Sequence, residues 1–542
     1  MNLFHVFRVY GYCATSKKKK ERKKERKRKR KKRESVFGSV LTCQHKMLAT
    51  RSGHLLRPCR LVICSPNKGK LFSSPVSQSA EDGHEFKRLW PAYREEEMFK
   101  AAHDIGCKTL NAVYRYNTVK PLDPGHVEQA LRHFQRNVLN SRCFFKERDG
   151  KLWVCEDLNP DVDFEYLEGA ESSAIINEHI NKPFRGDRSP TWKARLVPVP
   201  ADAPCAMPEI QAAFPHQYDL VFMPHHSFMD GLTVAHATGK LVGLLNDLIA
   251  GRPVNDEPFG VYLNNEEIGK IDEGIAKDLE KEPEKLESAK QELLACDTPP
   301  ILCKAFPPPG GKPATKFVYE IINQKSLASF TAKCKANGVT FNSGLEAVIN
   351  TAIIEMVREA GVEGESHHMS IHLATDLRRY MKRRPLLIYG VHVRPTVHRI
   401  ETPFDVRDDF WDYTRKLHQR LSILLKSGEA LQQTVVREMT LPELSPVEYH
   451  AAGPKPLREY GLTNVGDLTP IMPGVGEHLQ QTNVSIFGSA HFFGFPMFHQ
   501  TCAFRGHMPY TIGYDTSYIA KETAGALMDR IVTLMHDLGT SP

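Results

Sequence analysis

Two adjacent histidines and a nearby aspartate are the residues whose types and spacing best suit chemistry. His225 and His226 are followed after three residues by Asp230 and Gly231. A histidine titrates near neutral pH, so its neutral ring can take a proton from an attacking hydroxyl or amine. Adjacent side chains of an extended turn point in different directions, so we expect one catalytic and one structural histidine. Asp230, if buried, needs a cationic partner, and Gly231 permits a close backbone approach.

Two other interpretations of this cluster stay open. Two histidines and an aspartate can bind a metal ion, but adjacent histidines rarely chelate one ion together and no third ligand is evident, so we expect no metal. The segment can also be a purely structural turn, because a single histidine is more often an ordinary core or surface residue than a catalyst. The 12 cysteines contain no Cys-x-x-Cys pair, which argues against a zinc site of the common kinds.

The elements around the motif predict a turn between a strand and a helix. Residues 219–223 are a short apolar run typical of a strand, and residues 232–249 have helical periodicity that Gly251 ends. Residues 124–139 also have helical periodicity, with apolar side chains at steps of three and four. A tight turn held between rigid elements is a common position for reactive side chains.

The remaining sequence predicts two halves of similar size. Residues 81–295 and 317–542 each mix helical and strand patterns. Between them, residues 296–316 hold six prolines and two glycines, which cannot continue a helix or a central strand. We therefore predict two domains joined by a Pro/Gly-rich linker. Mixed elements in both halves indicate an α/β protein, made of two-layer α+β sandwiches.

The first 80 residues have a different composition from the rest. Residues 17–33 contain 15 basic and two acidic residues, and residues 1–80 carry a net charge of +19. Because the whole chain carries only +8, the remainder carries −11, which argues against nucleic-acid binding by the folded body. We expect residues 1–80 to be a disordered extension of a cytoplasmic protein. A nuclear address in residues 17–33, or a mitochondrial one if translation starts at Met47, stays open. No apolar run reaches the 18 residues of a spanning helix.

The motif resembles the HHxxxDG signature of the CoA-dependent acyltransferase superfamily, which includes chloramphenicol acetyltransferase, condensation domains and alcohol acetyltransferases. Further segments resemble the family as well. Residues 183–184 with 190–196 resemble its "PF…GPLWR" strand, with Thr191 in place of the usual Leu. Residues 370–380 resemble its "VNLR" strand, and residues 462–466 its "SNxG" strand. The plant-type DFGWG signature is absent, which favours the condensation-domain and alcohol-acetyltransferase branches.

The resemblance implies a role for each residue of the motif. His226 is implied as the general base, with His225 as a supporting residue at the channel. Asp230 is implied to form a structural ion pair with an arginine, for which Arg378 is our candidate, followed by Arg379. Gly231 belongs to the turn. Thr463 and Asn464 are expected beside the acyl or acceptor channel.

The resemblance also implies a fold and an activity. It predicts two chloramphenicol-acetyltransferase-like domains with the active-site channel between them. The expected reaction is acyl transfer from acyl-CoA, as co-substrate, to a small alcohol, with no bound cofactor. Three alternatives stay open: an amine acceptor, as in condensation-type enzymes, a catalytically inactive binding protein, and an unrelated α/β protein.

Overall fold

The computed structural model describes residues 78–81, 84–184, 186–382, 388–440, 448 and 455–541. All of them belong to one compact unit, Ser74–Pro542. Of the predicted extension, residues 1–80, only residues 78–80 are described, and they begin the first strand. The basic segment 17–33 and the alternative start at Met47 lie outside the described residues, as do the cellular addresses predicted from them.

Helices and strands alternate irregularly along the described chain. The strands are β1 (Gln78–Glu81), β2 (His84–Pro91), β3 (Leu110–Thr118), β4 (Cys143–Arg148), β5 (Lys151–Asp157), β6 (Phe164–Tyr166), β7 (Trp192–Val199), β8 (His216–Pro224), β9 (Val261–Tyr262), β10 (Thr315–Ile322), β11 (Ser366–Asp376), β12 (Ile388–Tyr389), β13 (Val393–Pro403), β14 (Tyr460–Asp467), β15 (Leu479–Gly488), β16 (Met497–Ala503) and β17 (Met508–Asp515). The helices are α1 (Arg94–Asp104), α2 (Pro124–Asn137), α3 (Ser172–His179), α4 (Pro208–Ala213), α5 (Gly231–Thr238), α6 (Leu241–Ile249), α7 (Glu266–Lys281), α8 (Pro283–Leu294), α9 (Ile301–Ala305), α10 (Gln324–Ala336), α11 (Phe341–Glu359), α12 (Phe410–Lys426), α13 (Glu429–Thr440) and α14 (Lys521–Thr540).

The first large sheet carries the histidine motif at the end of one of its central strands. Its order is β15-β3-β8-β7-β6, and only the β6–β7 pair is parallel. Alternate residues of β8 join different apolar clusters: Leu220 and Phe222 pack with helices α2, α5 and α6, whereas Val221 and Met223 pack with α3. The sheet is therefore apolar on both faces, which explains why β8 reads as a continuous apolar run.

The second large sheet has the order β10-β17-β16-β14-β11-β13. Helices α11, α12 and α14 pack with it in the largest apolar cluster of the described chain. Helix α11 is buried along most of its length because it lies inside this layer. Two smaller sheets complete the fold. One has the order β1-β2-β5-β4, and the other pairs β12 with β9. The predicted α/β architecture of two sandwiches is present.

One predicted helix is interrupted. The sequence predicts one helix over residues 232–249. The structure has two helices there, α5 and α6, with Gly239 between them. A Cβ at Gly239 would lie 2.8 Å from the carbonyl oxygen of Ile471 and 2.8 Å from Met472 Cγ. The glycine allows the first half of the chain to approach residues 471–472 closely, which sequence periodicity does not register.

One strand of the second half crosses the predicted boundary and joins the sheet of the first half. Strand β15 comes from the second half but pairs with β3 over nine register positions of the first sheet. Helix α9 lies within the predicted linker, residues 296–316, and its Ile301 and Leu302 are buried in the largest apolar cluster, which packs on the second large sheet. The second half is therefore not a self-contained layer, and part of the segment predicted as linker belongs to its core.

Candidate active site

The histidine motif lies on a turn whose backbone is anchored at both ends. The His225 N–H donates to the Thr191 carbonyl at 2.8 Å, which continues the pairing of β8 with β7. After the turn, Asp230 is the N-cap of α5, and its Oδ1 accepts from the Thr233 N–H at 2.8 Å. An aspartate at this position satisfies a backbone N–H that the first turn of a helix leaves unpaired. The predicted strand–turn–helix is therefore present.

His225, which the resemblance implies as a supporting residue, is fully buried. Its ring lies 3.9 Å from that of His103 and 5.7 Å from that of Phe184, and its Nδ1 accepts from the Ser227 N–H at 3.3 Å. A Cβ at Gly186 would lie 2.9 Å from His225 Nε2, so this glycine makes room for the ring. Burial holds the pKa of His225 well below its usual range, and the ring is neutral.

His226 is the histidine of the pair that keeps some exposure. Its ring stacks on that of Phe99 with centroids 4.1 Å apart and an interplanar angle of 16°. Burial lowers the pKa of His226 to about 4, with a smaller contribution from Lys108 in the same direction, while Asp230 opposes it. The imidazole is therefore neutral at physiological pH and can accept a proton, which is the state that a general base requires.

Asp230 forms its hydrogen bonds with the backbone and with Arg378. Its two oxygens accept from Arg378 Nη1 at 2.8 Å and Nη2 at 3.1 Å, and Oδ2 also accepts from the His392 N–H at 2.8 Å. Together with the bond from Thr233, the carboxylate accepts four hydrogen bonds. The Arg378 guanidinium is the main favourable influence that holds the pKa of Asp230 well below its usual range against the cost of burial. Arg378 is thus the partner of Asp230, and the paired carboxylate has little capacity left to accept a proton.

The remaining predicted residues lie on two different elements. Gly231 begins α5, and a Cβ there would be 3.5 Å from Val465 Cγ2 on β14. Thr463 and Asn464 precede Val465 and are partly exposed. Asn464 Oδ1 accepts from the Gly466 N–H at 3.0 Å, at the register irregularity of β14. Gly231 lies close to Val465 of β14, and Asp230 pairs with Arg378, which follows β11. The motif therefore lies where the two halves of the chain are in contact, which we call the seam.

Three residues at this seam were not predicted from the sequence. Phe99 and His103 lie four positions apart on α1 and present their rings to His226 and His225 respectively. Lys108 follows the same helix and is buried. The four-residue spacing of the two rings was a readable signal of a common face. Nothing in the local sequence shows that this face meets the histidine pair.

We also searched the described residues for metal-binding groups and for membrane-spanning helices. Across the part of the chain that the structure describes, no group of three or more His, Cys, Asp or Glu side chains is arranged to hold a metal ion. No helix among the described residues is long and apolar enough to cross a membrane.

Solved structures share this architecture at low sequence identity. The trichothecene 15-O-acetyltransferase of Fusarium sporotrichioides is 13% identical with a TM-score of 0.61, and the match covers 85% of this chain and 98% of that one. The first condensation domain of the CDA synthetase is 13% identical with a TM-score of 0.58, covering 84% and 97%. Polyketide synthase associated protein 5 of Mycobacterium tuberculosis is 13% identical with a TM-score of 0.54, covering 84% and 98%.

These similarities define the fold. The chain has the two-sandwich fold of the CoA-dependent acyltransferases and condensation domains, which the HHxxxDG resemblance implied. No protein-family model matches the sequence, and no curated protein matches it significantly. At 10–14% identity the reaction has to be argued from the residues of the site itself.

Proposed function

We propose that this protein is an acyl-CoA-dependent O-acyltransferase in which His226 is the general base. The observation that carries the proposal is the division of roles within one turn. Asp230 forms an ion pair with Arg378, and His225 is fully buried. The neutral His226 keeps some exposure at the seam of the two halves. The fold is shared with an acetyltransferase, which supports the same reaction class.

The proposed reaction needs no covalent intermediate on the protein. His226 takes the proton of an acceptor hydroxyl as the oxygen attacks the thioester carbonyl carbon. A tetrahedral oxyanion forms and then collapses, which breaks the carbon–sulfur bond. The leaving thiolate takes the proton back from the imidazolium, so the products are an ester and CoA. Thr463 and Asn464 are proposed beside the channel through which the substrates meet. Acyl-CoA and a small alcohol are the proposed partners, in the cytoplasm.

Two alternatives share the same residues. An amine acceptor would use the same base, as in condensation-type enzymes, and the neutral histidine does not distinguish the two nucleophiles. A catalytically inactive binding protein would keep the fold but not need His226. The neighbours with a similar fold include both an acetyltransferase and condensation domains, so the acceptor has to be determined by experiment.

The test is the release of CoA from the full-length protein, followed with a thiol reagent. Acetyl- to palmitoyl-CoA would be offered with matched alcohols and amines, to the wild type and to His226→Ala. We expect release that requires an acceptor and falls by about 10²–10⁴-fold in the variant, because a positioned histidine base contributes that much to the rate.

A matched control separates loss of the base from loss of the fold. His236 lies on α5, on the same turn-and-helix unit, but outside the motif. His236→Ala should keep activity, and both variants should keep the wild-type circular dichroism. A His226→Ala protein with full acceptor-dependent release would overturn the role of the base. Absence of acyl-CoA binding by calorimetry would favour a protein of another class.

A further inference from the structure

Lys108 occupies an unusual place for a lysine. It lies between α1 and β3, and its side chain is only 8% exposed. Its φ angle is +53°, in the left-handed region that residues with a side chain enter only at a cost of about 1 kcal/mol or more. A buried cation on a strained backbone is expensive on both counts. Such strain is retained most often at positions that serve binding or catalysis.

Two aromatic rings from the two halves of the fold enclose the Lys108 ammonium. Its Nζ lies 5.6 Å from the centroid of Phe99 and 5.2 Å from the centroid of Phe493. Phe493 also packs with Phe495 and Phe498, which lie in the phenylalanine-rich segment before and within β16. The ring faces attract the cation but do not neutralise its charge.

The described part of the chain offers this ammonium no counter-charge. No carboxylate of a described residue forms an ion pair with Lys108, and no described group hydrogen-bonds to its Nζ. Cys107 is the titratable group that influences the pKa of Lys108, and Lys108 in turn lowers the pKa of His226 and of His372. Burial raises the pKa of the Cys107 thiol to about 11, lowers the pKa of His226 to about 4, and holds the pKa of His372 well below its usual range. All three are neutral at physiological pH.

The ammonium lies beside the proposed base. Phe99 stacks on His226, and the centroid of the same ring lies 5.6 Å from Lys108 Nζ, so one aromatic ring contacts both side chains. His372 belongs to β11 of the second sheet, and Lys108 lowers its pKa too. The positive charge therefore lies at the seam of the two halves, where the base, the second sheet and the phenylalanine-rich segment meet.

We propose that Lys108 is a substrate-binding residue that takes a carboxylate of the molecule held at His226. The inference rests on the proposed function and deepens it, because it names the substrate class. The carboxylate belongs either to the acceptor, as in a hydroxy acid, or to the acyl group, as in a dicarboxylic acyl-CoA. A bound carboxylate supplies the counter-charge that the protein does not, in a desolvated site where charge-assisted hydrogen bonds are strong.

A purely structural role accounts less well for the residue. A methionine would fill the same space between two rings, with good sulfur–aromatic contacts and no buried charge. The burial of the group lowers the pKa of Lys108 to about 8, so the ammonium is still largely charged at neutral pH without its ligand. The chain thus keeps a charge that nothing in the described structure neutralises.

The experiment compares charged and neutral partners of equal shape. The full-length wild type and Lys108→Met would be given β-hydroxyoctanoate or its methyl ester as acceptor, with acetyl-CoA as donor. In a second arm, succinyl-CoA and butyryl-CoA would be compared as donors to octanol. We expect Lys108→Met to lose about 10- to 100-fold in kcat/KM for the charged member of one pair, mainly through KM, and to leave the neutral member unchanged. The arm that responds identifies the source of the carboxylate.

Two further variants make the result specific. Lys108→Arg keeps the charge and should recover most of the preference for the charged partner. Lys193→Met removes another lysine whose Nζ lies over an aromatic ring, 5.8 Å from Phe184, and should leave the preference unchanged. Calorimetric binding of β-hydroxyoctanoate and of succinyl-CoA to the wild type and to Lys108→Met gives a readout that does not need turnover.

The outcomes separate this inference from the proposed function. Equal losses on charged and neutral partners, or no change on either, would overturn the role of Lys108. Binding of a charged probe that depends on Lys108, in a protein that releases no CoA with any acceptor, would support the inference while rejecting the acyltransferase. CoA release that requires an acceptor, is lost in His226→Ala and is unchanged in Lys108→Met would support the acyltransferase and overturn the role of Lys108.

Discussion

Hydrogen bonding distinguishes Asp230 from His226 within the motif. Asp230 accepts four hydrogen bonds, from two backbone N–H groups and from both terminal nitrogens of Arg378. A carboxylate so fully engaged has little capacity left to accept a substrate proton. His226 has the opposite character, since its Nδ1 is buried without a hydrogen-bond partner in the described structure, while the residue as a whole keeps some exposure. These contacts support the proposal that His226 is the base of the motif and Asp230 its structural anion.

Replacement of Asp230 by asparagine should destabilise the fold. The substitution leaves the Arg378 guanidinium, whose side chain is only 14% exposed, without its main partner. Loss of one partner of a buried pair costs about 3–5 kcal/mol. Because the folded pKa of Asp230 is depressed, its stabilisation is present above the unfolded pKa of about 4 and is lost as pH falls toward the folded value. Urea denaturation should show the deficit at pH 7 and a smaller one near pH 3, and equal stability at pH 7 would contradict the ion pair.

The acid limb of the pH–rate profile should report the state of His226. A general base must be neutral, and burial lowers the pKa of His226 to about 4. We therefore expect kcat/KM to be flat on the acid side down to about pH 5, and to fall below it as the imidazole is protonated. An unperturbed histidine would lose half of the activity near pH 6.5. Steady-state rates in a constant-ionic-strength buffer series measure the limb, and a midpoint near 6.5 would show that His226 is not desolvated in the free enzyme.

At the scale of elements, helix α1 and the segment before β7 build the wall behind the two histidines. His103 Nε2 accepts from the Phe184 N–H at 3.1 Å, which ties the helix to this segment. Two residues later, the Gly186 carbonyl accepts from the Phe145 N–H at 2.9 Å. This segment includes the Pro183-Phe184 pair of the family resemblance. The close packing of the His225 ring on this segment explains why residue 186 is a glycine.

Gly186→Ala should disturb the site through His225. The added Cβ would lie 2.9 Å from Nε2 of a fully buried ring, closer than real Cβ contacts allow. Over-packing of this kind costs about 1–3 kcal/mol, and we expect a fall in CoA release together with a lower melting temperature. Gly243→Ala is the matched control, because a Cβ there meets nothing within 4 Å and alanine favours the helix interior. Unchanged stability of Gly186→Ala would show that His225 can move aside.

Across the whole molecule, the two halves are interlocked rather than placed side by side. Strand β15 completes the first sheet, and its Leu479, Val484 and Ile486 join the apolar cluster that packs this sheet on helices α2, α5 and α6. A buried ion pair joins Arg394 on β13 to Glu95 on α1, with both side chains 3% exposed. The motif itself joins the halves through the pair of Asp230 with Arg378. These links join the two walls of the proposed site.

The interlocking predicts that the first half does not fold alone. A fragment of residues 1–316 lacks β15, so it would expose the edge of β3 and an open part of its apolar cluster. We expect this fragment to be insoluble or to bind a hydrophobic dye strongly. Co-expression with residues 317–542, which carry β15, should restore a soluble complex. Soluble yield and size-exclusion chromatography measure both results, and a monodisperse 1–316 fragment would contradict the exchange.

Much of the local structure was predictable because it depends on local periodicity. The prediction of a helix over residues 124–139 is confirmed, and that of a strand over residues 219–223 is confirmed within the longer β8. The strand–turn–helix around the motif followed from the same patterns. The prediction of one helix over residues 232–249 was wrong, because Gly239 is held against residues 471–472 by a long-range contact. The roles of Thr463 and Asn464 stay predictions.

The sequence sufficed for the α/β class, the motif and the candidate base, because side-chain chemistry and short-range spacing carry that information. It did not show that Lys108 lies beside His226, that α1 forms the wall behind the histidines, or that β15 joins the first sheet. Those features depend on packing between distant segments: in the pairing of β15 with β3, for example, Leu479 lies opposite Thr118. Several strands and helices could be placed from their own periodicity, but which apolar faces meet is settled only when the whole chain buries them together.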